Sequence, residues 1–399
     1  MQPPNMWLKT FFKKLNSVVN MPYKRDPMYA YLIVLTICSS AGLHCWQILF
    51  NNFSVDVVGL DGHHIGILQS VREIPGFLAL LVTYVLLVIK EHRLAAFSIA
   101  LLGVGIFLTG LLPSLTGLII TTLIMSFGFH YYETCNTSLT LQYFDKLTSP
   151  LVFARQQQFA AAASILVAII IFIIAPFLSY QAIFILFGCL IIACSIWALT
   201  KKPINQCMIP QKKQMVIKKE YWLYYFLTFM AGARRQIFMA FAVFLLVKKF
   251  GFSVQDITLL FLANNVINYF LSPMIGRFIV RFGERKLLSM EYASLILVFI
   301  AYAFVESKMI AGGLYLLDHV FFSFSMGIKT YFQKIADPQD IAPSAAVGFT
   351  INHIAAVILP VIGGVLWMVN YKIPFLAGAV FSFISLCLVQ LIPPLKKET

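Results

Sequence analysis

Residues 31–50, YLIVLTICSSAGLHCWQILF, and residues 223–242, LYYFLTFMAGARRQIFMAFA, are two runs dominated by apolar side chains that begin 192 positions apart. A helix rising 1.5 Å per residue needs about 20 such residues to cross roughly 30 Å of hydrocarbon. The same shift of 192 aligns 31–93 with 223–285 without a gap: Leu35 meets Leu227, Thr36 meets Thr228, Gly59 meets Gly251, Ile65 meets Ile257 and Arg93 meets Arg285. Identities are few, but span lengths and polar breaks coincide through two helices and their loops. Further along, the offset drifts to 188, where Tyr143-Phe144 pairs with Tyr331-Phe332 and Ser149-Pro150 with Asp337-Pro338. Two homologous halves of six helices follow, related by an axis along the membrane normal. Proteins of that design bind a solute between the halves near the midplane and rock one half against the other.

The rest of the chain extends this reading. It is 60% hydrophobic and 12% charged, against roughly 45–50% and about 25% in soluble domains. Twelve apolar spans lie near 28–53, 64–89, 94–112, 115–142, 155–177, 180–200, 221–247, 254–281, 286–305, 309–334, 346–369 and 373–394. The expected fold is an all-α membrane protein with twelve transmembrane helices in two pseudo-symmetric six-helix bundles. Its divisions are an N-terminal segment 1–27, a first bundle 28–200, a linker 201–220, a second bundle 221–394 and a tail 395–399.

The net charge of +14 does not signal nucleic acid, because the cations sit in short loops between apolar helices. Sorting the 30 Lys and Arg by loop puts 22 on one side and four (Lys248, Lys249, Lys308, Lys372) on the other. The positive-inside rule then places both termini and the linker in the cytoplasm, in what is expected to be a bacterial inner membrane. Six lysines between Lys201 and Glu220 read as a solvated charge run that fixes topology. The amphipathic start, with Trp7, Phe11 and Phe12 among Lys9, Lys13 and Lys14, reads as an interfacial helix, since no small-residue cleavage site follows it. Six of the seven cysteines lie in apolar segments without ligand spacing and read as packing residues. His63 and His64 fall in an external loop with no third ligand, so neither a metal nor a cofactor is expected.

One loop carries a recognisable signature. Gly276-Arg277-Phe278-Ile279-Val280-Arg281-Phe282-Gly283-Glu284-Arg285-Lys286 resembles the Gly-x-x-x-Asp-Arg-x-Gly-Arg-Arg/Lys motif of the major facilitator superfamily, with Val280 at the usual Asp. The resemblance covers essentially the whole chain. In the first copy only Lys90, Glu91, His92 and Arg93 remain of the charged part, with Tyr84 at the glycine position. The resemblance implies alternating access and a gating role for Gly276, Arg277, Arg281, Gly283 and Arg285. Proton-driven drug exporters of the family often carry Gly-Pro-x-x-Gly-Gly on the fifth helix, whereas Arg155 to Ser179 holds no glycine. Pro360-Val361-Ile362-Gly363-Gly364 on the eleventh span resembles only that motif's tail.

An ionisable group at membrane depth needs a partner or a wet cavity, so each is a functional candidate. Seven are read within spans: Arg72, Glu73, Glu133, Arg234, Arg235, Asp318 and Lys329. Ser126, His130, Glu133 and Thr137 recur at helical spacing and form one polar stripe on the fourth span. Glu133 is the first choice for a proton-coupling carboxylate; the competing reading is a permanent ion pair. Arg234 and Arg235 are about 100° apart on a helix, so one can face the cavity while the other pairs with a neighbouring helix. Arg72 and Glu73, being adjacent, are expected to find partners on other helices. Their repeat counterparts are Asn264 and Asn265, with Asn268 one turn on. His44, Gln47 and His353 complete the set, and Lys329 is placed to snorkel.

Four cations against three acids lean the site positive. The chain is therefore read as a secondary transporter, not an enzyme, that acts as a monomer and carries a small organic anion with protons as the coupling ion. No P-loop is present to supply ATP chemistry. Proton-driven export of drugs or metabolites, and ligand sensing without translocation, stand as alternatives.

Overall fold

The computed structural model describes residues 26–394 apart from 61, 204–210, 213 and 253. The expected interfacial helix and tail 395–399 lie outside the described residues, as does part of the linker. α1 is Pro27–Asn52, closed by a π turn at Phe53–Val57. α2 covers 62–85 as Gly62–Phe77, a 3-10 turn Leu78–Leu81 and Val82–Val85. α3 (Glu91–Leu111), α4 (Leu115–Tyr143), α5 (Ser149–Ile174) and α6 (Tyr180–Thr200) complete the first half. α7 covers 219–250, with a π turn at Phe238–Ala242 between Trp222–Ile237 and Val243–Phe250. α8 (Val254–Phe282) and α9 (Glu284–Phe304) follow. α10 is Lys308–Ile335, broken by a 3-10 turn at Ser323–Ser325. A turn at Pro338–Asp340 leads into α11 (Ile341–Val369), and α12 is Lys372–Val389. Nine of these rods, among the described residues, are long and apolar enough to cross a membrane by length and composition.

Local chemistry explains where the rods start and stop. Asp26 caps α1 by accepting from the Met28 amide at 2.8 Å, with Pro27 in the first turn, where no amide is needed. Ser114 and Ser179 cap α4 and α6 in the same way. Gly59 (φ 74°) and Gly251 (φ 61°), equivalent in the repeat, both take the left-handed conformation that a side chain disfavours, and each turns the chain after the first helix of its half. His63 and His64 belong to the first turn of α2 instead of a loop.

Packing follows the repeat. α1 lies on α5 and α3 on α6, as α7 lies on α11 and α9 on α12. The halves meet along α5 with α8 and along α2 with α11, two seams that the pseudo-twofold exchanges. One apolar core fills each half, and another crosses the seam, joining Leu141, Phe153 and Ala154 to Tyr224, Ile275 and Phe332. Large apolar side chains such as Phe172 and Phe177, each 83% exposed, face outward, as lipid contact requires.

Most of the basic loops gather at one end of the bundle, where the halves are also tied. Gly276 of α8 lies so close to α5 that a Cβ there would come within 2.7 Å of both the Ala154 Cβ and the Pro150 carbonyl oxygen. Ser149 donates to Gln333 at 2.5 Å, and the Gln333 amide donates to the carbonyls of Leu141 and Phe144 at 2.7 and 2.6 Å. Lys146 donates to the Lys334 carbonyl at 3.1 Å. Within the signature loop, Gly283 (φ 78°) turns the chain, Arg277 bonds its own helix at the Pro273 carbonyl and Arg285 donates to Gln390. Arg281 packs on the Phe282 ring, while buried Glu284 pairs with Lys334 at 2.6 Å.

The linker is not the free charge run that its composition suggests. Lys212 and Lys218 meet the fully buried Asp340 carboxylate at 2.7 and 2.5 Å, and Lys218 also meets Asp337 at 2.6 Å. A carboxylate buried at the foot of α11 requires cations, and the linker delivers them.

Candidate functional site

Between the halves lies a cavity of about 450 Å³, lined from α1, α2, α4, α5, α7, α10 and α11. The polar stripe of α4 faces it throughout: Ser126, His130, Glu133 and Thr137 all line the wall. Its ionisable contents fall into two groups.

The first group sits on the α2–α4–α11 side. Arg72 and Glu73 pair with each other, which adjacency on a helix did not suggest, and Glu73 also approaches another helix, as expected. The long Arg72 side chain folds over its neighbour and donates from Nη2 to Glu73 Oε1 at 2.7 Å and from Nε at 3.2 Å. Glu73 Oε2 lies 3.9 Å from His353 Nε2 of the opposite half. The His130 and His353 rings stand edge to face with centroids 5.0 Å apart. Each histidine anchors its Nδ1 on its own helix: His130 meets the Ser126 carbonyl at 2.9 Å and His353 the Phe349 carbonyl at 3.0 Å. Ser126 in turn donates to the Arg72 carbonyl, joining α4 to α2.

The second group sits deeper toward the basic end. Glu133 of α4 interacts electrostatically with Lys329 of α10 and Arg235 of α7. Lys329 does not snorkel: its Nζ donates to Thr137 across the seam at 3.1 Å. The 3-10 break at Ser323–Ser325 resets the phase of α10, and Ser325, Met326 and Lys329 all face the cavity. Below this group Asn136 and Gln156 exchange both amide hydrogen bonds, at 3.3 and 2.9 Å, and hold α4 to α5.

Arg234 and Arg235 have opposite fates. Arg235 lines the cavity, while Arg234 is 1% exposed inside the second bundle. There its guanidinium stacks 4.4 Å over the Tyr292 ring, lies 3.7 Å from Glu291 and donates to Ser385. Asp318, 2% exposed, interacts with the same arginine from α10. Arg234 and Asp318 therefore lie behind the wall, and the cavity itself holds three cations (Arg72, Arg235, Lys329) against two acids (Glu73, Glu133). Glu291, a few residues inside the ninth apolar span, belongs to the ionisable set and was missed because it sits near the span's charged border.

The remaining candidates divide similarly. Gln47 lines the cavity and His44 pairs with it from one turn away. Asn265 donates to its own helix at Phe261, and Asn268 accepts from Ser323 of α10 at 3.0 Å, so neither reaches the cavity. Of the repeat-equivalent polar pairs, the first-half member Arg72-Glu73 lines the cavity. Asn136, Gln156 and Tyr224 of the lining were not singled out in the sequence, since amides and tyrosines in apolar spans are common as structural partners.

Residues 32–342 match the family model described as Major Facilitator Superfamily. No curated protein matches the chain. Among solved structures, the fucose:proton symporter FucP of E. coli is 13% identical with a TM-score of 0.72, covering 92% of this chain and 100% of that one. The human organic anion transporter MFSD10 (TETRAN) is 11% identical at 0.72, covering 92% and 100%. A bacterial homologue of the iron transporter ferroportin in its outward-facing state is 12% identical at 0.74, covering 91% and 98%. At these identities the likeness establishes the fold.

Proposed function

The chain belongs to the major facilitator superfamily, and on that premise we propose that it is a proton-coupled secondary transporter of a small organic anion, working by alternating access. The observation that carries this reading is the cavity at the seam, with Glu133 set between Lys329 and Arg235 and an excess of one cation in its walls. An anionic group entering the cavity competes with Glu133 for the two cations. Protonation of Glu133 frees them for the solute, and loss of the proton after the solute leaves restores their attraction to the carboxylate. Proton and solute are thus bound together, the proton on Glu133 and the solute on the two cations, which couples their movement.

The contacts at the basic end fit one stage of this cycle. With that end in the cytoplasm, the Gln333 hydrogen bonds and the α5–α8 approach seal the cytoplasmic side while the solute site faces away from it. The names of two structural relatives, a proton symporter and an organic anion transporter, are compatible with the reading, which rests on the cavity and not on them.

The test is transport in sealed liposomes with Glu133→Gln. The expected result is loss of uptake driven by an imposed proton gradient, while exchange of labelled for unlabelled solute persists. Unchanged gradient-driven uptake would remove Glu133 from coupling. A ligand that binds but is never accumulated under any gradient would favour sensing over transport.

A further inference from the structure

Glu73, His130 and His353 offer one carboxylate oxygen and two imidazole nitrogens within 4.8 Å of one another, from α2, α4 and α11. Their arrangement is more specific than proximity. A carbonyl oxygen only accepts, so the contacts of both Nδ1 atoms with backbone carbonyls hold each imidazole as the Nδ1–H tautomer. Each Nε2 is then left with a free lone pair. His353 Nε2 lies 3.9 Å from Glu73 Oε2. Arg72 occupies Oε1 of the same carboxylate and leaves Oε2 free. Backbone-anchored histidines and a carboxylate steadied on its other oxygen are the outer supports that metal-binding side chains use.

We infer that Glu73, His130 and His353 form a binding site for one divalent first-row transition cation, built across the seam between the two halves. Two imidazoles and one carboxylate suit zinc, iron(II), cobalt(II) or manganese(II), whereas calcium and magnesium prefer all-oxygen shells. Bonds of about 2.0–2.2 Å bring ligand atoms roughly 3–3.5 Å apart. The three donors therefore draw together on binding. Because Glu73 and His130 belong to one half and His353 to the other, the cation pulls α11 toward α2 and α4, and its occupancy biases the position of the halves. Three protein ligands leave positions open toward the cavity. Arg72 and Arg235 repel a bare dication, and an anionic group of the solute at those open positions offsets the repulsion. That last step rests on the anion reading; the site itself does not. The three ligands come from three helices, so no sequence spacing announces them.

The test uses full-length protein without a polyhistidine tag, carrying His63→Ala and His64→Ala to remove the sequence-adjacent histidine pair as a competing ligand. Cobalt(II) alone is titrated and followed by its visible absorption, with no solute present. The expected result is one saturable site, weakened more than tenfold in His130→Gln and in His353→Gln and indifferent to excess calcium or magnesium. Should those variants not fold, X-ray absorption of the zinc-loaded parent protein counts the ligands directly, with two imidazoles expected on the metal. No saturable binding, binding undiminished by both substitutions, or fewer than two imidazoles overturns the site. Because the ion alone is read, a negative result here leaves the anion reading to its own transport assay.

Discussion

Arg234 and Arg235 show how far one residue of helical rotation separates two roles. Arg235 stands in the cavity wall, where its charge is available to a solute. Arg234 is enclosed with Glu291, Asp318 and the Tyr292 ring, so removing it leaves two buried acids without their cation. Stranding buried charges typically costs about 3–5 kcal/mol. Arg234→Ala is therefore expected to lower the melting temperature and the yield of folded protein, with partial recovery on adding Glu291→Ala. Arg235→Ala is expected to leave the melting temperature near that of the parent and to raise the half-saturating solute concentration at least tenfold in a transport assay. Equal melting temperatures for the two single variants would contradict this division. The presence of both charges at membrane depth was legible in the sequence, as was the impossibility of both facing one way. Which of them faces the cavity was not, because it depends on the rotational setting of α7 against α11 and α12. The Arg72-Glu73 pair escaped for a related reason: helical adjacency separates Cβ atoms, but a four-bond arginine side chain can fold back across that gap.

At the scale of elements, the linker and the foot of α11 act as one unit. Burial pushes the Asp340 carboxyl up, but hydrogen bonds from Lys212, Lys218 and Tyr221 outweigh it and hold its pKa below the usual carboxylate value. That contribution is full above the unfolded value of about 3.9 and is lost only as pH falls through the lower folded value. Lys218 is raised by its hydrogen bonds to Asp337 and Asp340, so its share is full below the unfolded lysine value of about 10.4 and is lost above it, as pH rises through the raised folded value. Docking of the linker should thus be constant between about pH 5 and 9. Limited proteolysis at Lys212 and Lys218 is the readout: slow and pH-independent over that range in the parent, fast in Asp340→Asn at neutral pH. A parent linker cut faster at pH 6 than at pH 8, with protease activity corrected, would contradict the assignment. Charge content located this segment in the sequence. Its docking was hidden because the partner acid lies more than a hundred residues away, at the start of a span whose own sequence is apolar.

For the whole molecule, the repeat is what the sequence carried most clearly, and the paired glycines Gly59 and Gly251 and the matching α1–α5 and α7–α11 contacts give it physical form. The halves depart from symmetry at the seam, where Gly276 keeps α8 close to α5 while the equivalent position in the first half is Tyr84, half exposed. A rocking mechanism needs that seam to close at the basic end and reopen, so a close helix approach there bears on the balance between the two states. Gly276→Val places a Cβ only 2.7 Å from the Ala154 Cβ and the Pro150 carbonyl oxygen. The helices must separate there, while the cores inside each half remain intact. The expected outcome is a protein that still folds, with its population shifted away from the state closed at the basic end. A cysteine placed at Gln156, on the cavity floor, reports the shift: a membrane-impermeant thiol reagent applied from the basic side should label it faster in Gly276→Val than in the parent, with gradient-driven uptake reduced. Labelling slower than in the parent would mean that the α5–α8 contact does not form the gate, and that closure at this end rests on the Gln333 hydrogen bonds instead.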